Sequence, residues 1–137
     1  MHRFVLPALT VLLLALLISP AQAAPVAQGC GLPVAVDGAT VVSGDGKLNT
    51  RPIDLEGGAY TVRYSASMRG QFGGNVMIRL MPTTEDPLAA ELLVNLILNR
   101  ERPEASGETQ VYGIRPGSYY FEVLAPGAWE LSIAPQA

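Results

Sequence analysis

From residue 58 onward, apolar and polar side chains alternate in strand-length stretches, and glycine or proline ends each stretch before a helical pattern can form. A period of two puts successive side chains on opposite faces of an extended chain, so each stretch buries one face and wets the other. Tyr60, Val62 and Tyr64 alternate with Thr61, Arg63 and Ser65. Val76, Ile78 and Leu80 alternate with Met77, Arg79 and Met81, and Tyr119, Phe121 and Val123 with Tyr120, Glu122 and Leu124. Trp129, Leu131 and Ile133 alternate with Glu130 and Ser132, which sets the sole tryptophan on an inward row. Shorter apolar runs at 32–36, 39–43 and 51–55 are separated by the turn signals Asp37-Gly38 and Asp45-Gly46. Such recurrence predicts an all-β, antiparallel β-sandwich of about eight strands, jelly-roll-like in type.

Two further features refine that expectation. Glycine, a small residue and an aromatic open three strands, at Gly58-Ala59-Tyr60, Gly117-Ser118-Tyr119 and Gly127-Ala128-Trp129. Arg115-Pro116-Gly117 and Ala125-Pro126-Gly127 each place proline before glycine, the order of a type II turn. The second is expected to close a hairpin between 119–124 and 128–133, making Glu122 and Glu130 cross-strand neighbours. Residues 87–100 read two ways. Asp86-Pro87 is a helix start, with Glu91, Asn95 and Asn99 at a four-residue step, yet Leu92, Val94, Leu96 and Leu98 alternate as a strand's buried face does. Strand is the reading taken, because the neighbouring segments are strand-like.

The N-terminus sets the compartment. Met1-His2-Arg3, an apolar stretch from Phe4 to Ile18 and Ala21-Gln22-Ala23 form a secretory signal over 1–23, with cleavage expected after Ala23. The stretch is short for a membrane span. Residues 24–31 read as a flexible mature N-terminus and 32–137 as the folded domain, about 114 residues after cleavage in total. The expected location is outside the cytoplasm: extracellular, periplasmic or at the cell surface. Cys30 is the only cysteine, so no intrachain disulfide forms. It is either a free thiol, half of an intermolecular disulfide, or a lipidation site; Ala27-Gln28-Gly29 before it is a poor lipidation sequence.

Composition removes several function classes. His2 is the only histidine and leaves with the signal, so hydrolases built on an imidazole base and His-containing zinc sites lose their central residue. Without Arg3, eight Lys and Arg face twelve Asp and Glu, a balance opposed to nucleic-acid binding. Asp45, Asp54 and Glu56 lack the spacing of a calcium loop, because Lys47 stands at a ligand position and no closing glutamate follows. Arg69 to Gly74 is glycine-rich but lacks the Gly-Lys-Ser/Thr ending of a phosphate loop. No cofactor, metal or catalytic residue is assigned. The candidate ligand surface comprises Tyr112 and Tyr120, which are free to point outward, and Phe72 at a loop tip. The Glu122 and Glu130 pair leaves open an enzyme using carboxylates alone.

The run Gly58-Ala59-Tyr60-Thr61-Val62, the strand Val76 to Leu80, and Pro116-Gly117-Ser118-Tyr119-Tyr120-Phe121-Glu122-Val123 before a closing Trp129 strand resemble exported bacterial β-sandwich domains of the pre-peptidase C-terminal and CUB-like type. The resemblance covers about residues 52 to 134. It implies a non-catalytic module that assists folding, secretion or attachment to extracellular polymers. Met77 and Arg79 stand where calcium-binding members of that group carry aspartates. The resulting expectation is a non-enzymatic exported module whose partner is an extracellular polymer or protein. Its membrane contact would be limited to the signal or a lipid on Cys30.

Overall fold

The computed structural model describes residues 31–84 and 90–136. The signal segment, most of the expected mature N-terminus with Cys30, and Asp86-Pro87 lie outside the described residues. Ten strands form two antiparallel sheets, with no helix among the described residues. They are β1 (Val34–Val36), β2 (Ala39–Asp45), β3 (Leu48–Asn49), β4 (Ile53–Leu55), β5 (Gly58–Ser67), β6 (Gly74–Pro82), β7 (Glu91–Leu98), β8 (Glu104–Ile114), β9 (Gly117–Leu124) and β10 (Ala128–Pro135). Sheet A runs β1-β2-β10-β5-β8, and sheet B runs β3-β9-β6-β7 with β4 also on β9.

This strand order is a jelly roll, with the chain passing back and forth between the two five-stranded sheets. The two strands beyond the expected eight are β3 and β8; β8 escapes the alternation because its inward row of Ala105, Gly107, Thr109 and Val111 is only weakly apolar. β1 is a short addition beside β2, turned by Asp37 and Gly38, both at positive φ as a two-residue hairpin requires. β3 and β4 are one edge broken in two. Leu48 and Asn49 pair with Val123 and Glu122, and Ile53 to Leu55 pair with Tyr119 to Gly117. Thr50 spans the break: its amide donates to the Phe121 carbonyl at 2.9 Å and its hydroxyl accepts the Phe121 amide at 2.9 Å. Thr50 is the one buried polar residue among those described.

The core lies between the sheets and is filled by the inward rows that the alternation specifies. Val76, Ile78 and Leu80 of β6, Phe121 and Val123 of β9, and Val62 and Leu131 of sheet A are essentially inaccessible. The recurrent glycine-small-aromatic entries each deliver a buried ring whose polar tip has a partner, the condition for burying tyrosine or tryptophan at low cost. Tyr119 donates its hydroxyl to the Arg115 carbonyl at 2.7 Å, and Tyr60 accepts the Glu56 amide at 3.1 Å, each four residues back. Trp129 donates from Nε1 to the Gly46 carbonyl at 3.1 Å.

Two local expectations are corrected. β9 and β10 do not form a hairpin, because β9 belongs to sheet B and β10 to sheet A. Ala125 and Gly127 are buried, so the link dives between the sheets instead of looping out. A side chain at Gly127 would come within 2.9 Å of the Arg69 amide nitrogen. Gly127 has no positive φ, and Gly117 at 157° is far from the roughly 80° of a type II turn. The second correction concerns β7, which is a strand, but with a changed inward row. The register slips between Ile78 and Arg79, so that Leu93 forms a bulge. Beyond it Val94 and Leu98 are buried, while Leu92, expected with them, is 54% exposed.

Candidate functional site

The outward face of sheet A is the most built surface of the domain. Its rows follow from strand register, since directly opposite residues share a face. Ser43 of β2 lies opposite Glu130 of β10, Glu130 opposite Ser65 of β5, and Ser65 opposite Ser106 of β8. One row further, Asp45, Ala128, Ser67 and Glu104 continue along one side; Ser132, Arg63 and Glu108 continue along the other. Neighbouring strands stand about 4.8 Å apart, so the row Ser43, Glu130, Ser65 and Ser106 presents polar groups over about 14 Å.

Small side chains make this face hollow. A depression of about 860 Å³ lies over Ser43, Asp45, Ser65, Ser67, Glu104, Ser106 and Glu130. A second, of about 500 Å³, continues on the same face over Thr61, Arg63, Glu108, Gln110, Ser132 and Tyr112. Side-chain bonds knit the second patch: Arg63 Nε donates to Glu108 at 2.8 Å and Thr61 donates to Gln110 at 2.8 Å. At the far end Arg69 is paired with Asp45. Hydrogen bonding to that carboxylate, then its charge, holds the exposed Arg69 guanidinium above its already high ordinary value.

The balance of charge on this face is acidic, with Asp45, Glu104, Glu108 and Glu130 against Arg63 and Arg69. That composition disfavours anionic ligands. Among the described residues no three Asp, Glu, His or Cys side chains gather closely enough to hold a metal ion.

The residues singled out from the sequence do not converge. Tyr112 is 67% exposed and stands on the outward face of sheet A, at the end of the smaller depression. Tyr120 is half-buried on the outward face of sheet B, opposite Met81, on the other side of the sandwich. Phe72 is 83% exposed on the turn between β5 and β6, where its amide bonds to the Arg69 carbonyl at 3.2 Å. Cys30 lies outside the described residues. Glu122 and Glu130, expected side by side, are on opposite outer faces, since their strands are in different sheets. Of the groove's serines, Ser65 and Ser132 were legible as outward-facing; Ser106 lies on β8, which the alternation did not mark as a strand, and the adjacency of β2, β10, β5 and β8 was missing as well. Their signal in the sequence is the recurrence of Ser at outward positions of all four strands.

Fold and site together define an antiparallel jelly-roll sandwich with one hollow, hydroxyl- and carboxylate-lined face. No family model matches the chain, and no curated protein matches it. Two solved structures overlay much of it. A carbohydrate-binding module (CBM6) from Cellvibrio mixtus lichenase 5A, in complex with cellotriose, has 18% identity and a TM-score of 0.37 over 74% of this chain and 75% of its own. A CBM4 structure has 16% identity and a TM-score of 0.34 over 77% of this chain and 85% of its own.

Proposed function

We propose that this protein is a non-catalytic exported module that holds an uncharged, hydroxyl-rich extracellular polymer across the outward face of sheet A. The observation that carries this reading is the placement of both depressions on one sheet face, over polar side chains from four adjacent strands. A polysaccharide offers hydroxyls that both donate and accept, which suits serine and carboxylate partners. Tyr112 adds an exposed ring at one end for a sugar face to rest on. Strands hold these groups more firmly than loops do, which lowers the ordering cost of binding.

The test is affinity electrophoresis and NMR titration against a panel of neutral and charged polysaccharides. Glu130→Ala removes a charge-assisted hydrogen bond from the groove floor, worth about 1.5–3 kcal/mol, and should weaken binding about tenfold or more. Tyr112→Ala should weaken it as well, with folding intact in both. A panel in which no polymer shifts the groove resonances sinks the proposal.

A carboxylate-only hydrolase is the second reading, favoured by Asp45, Glu104 and Glu130 around one depression. Asp45, however, is tied to Arg69, and the depression is the open floor of a sheet without the opposed walls that flank a scissile bond. Release of new reducing ends from a bound polymer would establish this reading in place of the first.

A further inference from the structure

A sandwich of this order has four sheet edges, and three of them are guarded against pairing with another chain. β1 is three residues long. The β3 and β4 edge is interrupted at Thr50-Arg51-Pro52, and proline has no amide hydrogen to offer. β8 carries Glu104 and Glu108. Short strands, proline and charge are the usual protections of an exposed edge.

β7 has such protection only at its start, in Glu91 and the Leu93 bulge. It is eight residues long, is paired only with β6 among the described residues, and reads Glu-Leu-Leu-Val-Asn-Leu-Ile-Leu. From Leu92 to Leu98 it has no charge, proline or glycine. Within that stretch Ile97 is 61% exposed. Past the Leu93 bulge, Val94 to Leu98 is regular, with Val94 and Leu98 inward, Leu96 half-buried, and Asn95 and Ile97 outward.

We propose that two copies of this chain join edge to edge through β7, antiparallel about Leu96, extending sheet B across a two-fold axis. In that register Leu96 meets itself, Asn95 meets Ile97 and Val94 meets Leu98, so every pair matches inward with inward or outward with outward. Centring the pair on Asn95 instead sets the bulged Leu93 against Ile97 and breaks the match. An uncharged, self-complementary edge selects a copy of itself, since no like charges oppose one another where the strands meet. Because inward residues meet inward residues, the axis is normal to the sheet, and the hollow faces of sheet A in both copies look the same way. Bivalent capture of one polymer surface follows from that geometry and rests on the groove reading; the pairing itself does not.

The protein as secreted by an expressing host, kept in reductant so that Cys30 cannot link chains, is measured by light scattering from micromolar to sub-millimolar concentration. The expected mass is twice that of one chain. Ile97→Lys and Asn95→Lys, both at exposed positions, should halve it with the Trp129 fluorescence unchanged, whereas Leu124→Lys, exposed on the same sheet but away from the edge, should leave it doubled. A wild-type monomer throughout overturns the proposal. So does a dimer that survives Ile97→Lys and Asn95→Lys but dissociates with Leu124→Lys, which would be stacking of sheet faces. Mass is read without any polymer, so a failed groove reading and a failed pairing give separate results.

Discussion

Gly44 lies on β2 directly opposite Trp129 of β10, and the indole crosses the space where a side chain would stand. In Gly44→Ala the new methyl would press on Cζ2 of Trp129, sit 2.7 Å from Cε2, and meet Leu48 Cδ2 at 2.9 Å. Ordinary carbon contacts are about 3.5–4.0 Å, so the ring must retreat by about 1 Å. Leu48 closes one direction, and the 3.1 Å bond from Nε1 to Gly46 resists the rest. Overpacking of this kind costs about 1–3 kcal/mol, and loss of the indole hydrogen bond adds about 1 kcal/mol. Gly44 has no positive φ, so alanine meets no backbone strain there and recovers about 0.4–1 kcal/mol from a stiffer unfolded chain. The net expectation is about 2–3 kcal/mol of destabilisation, or a fall in Tm of about 8–12 °C for a domain of this size. Urea unfolding followed by the emission of the only tryptophan measures it. Gly74→Ala is the control, since its methyl would make an ordinary 3.4 Å contact with Pro126 at a glycine that also lacks positive φ. Should the two variants unfold within about 0.5 kcal/mol of each other, the indole does not lie across β2 and the packing argument fails.

Thr50→Val keeps the shape of the residue bridging β3 and β4 but orphans the Phe121 amide, and should cost about 1–3 kcal/mol in denaturant unfolding, while Thr50→Ser should recover most of it. Intact-mass analysis of the exported protein should find an N-terminus at Ala24 and an unmodified Cys30; a mass increased by acyl chains on a terminal cysteine would instead mark a lipid-anchored envelope protein. The losses expected for Glu130→Ala and Tyr112→Ala, and the halved mass expected for Ile97→Lys, complete the set.

Period-two patterning carried most of the fold. Tyr60, Val62, Val76, Ile78, Leu80, Phe121, Trp129 and Leu131 are all inward, as their alternation specifies, because burial of one strand face is a local property that needs no knowledge of the neighbouring strand. The Leu93 bulge escaped the pattern, because an inserted residue shows only against the strand it pairs with. Pairing escaped it too. Three residues between β9 and β10 suit a hairpin and a crossing between sheets equally well, and the difference lies in what surrounds Gly127 and Ala125.

The residues by themselves therefore determined an all-β domain and most of its inward rows, and confined the sole histidine to position 2. Only the folded arrangement decided that Ser43, Glu130, Ser65 and Ser106 share one row, that Tyr112 and Tyr120 stand on opposite sides, and that β7 leaves an unguarded edge from Val94 to Leu98. The physical reason is that side-chain direction is set by the chain's own period, whereas strand adjacency depends on which distant segments compete to fill the same core.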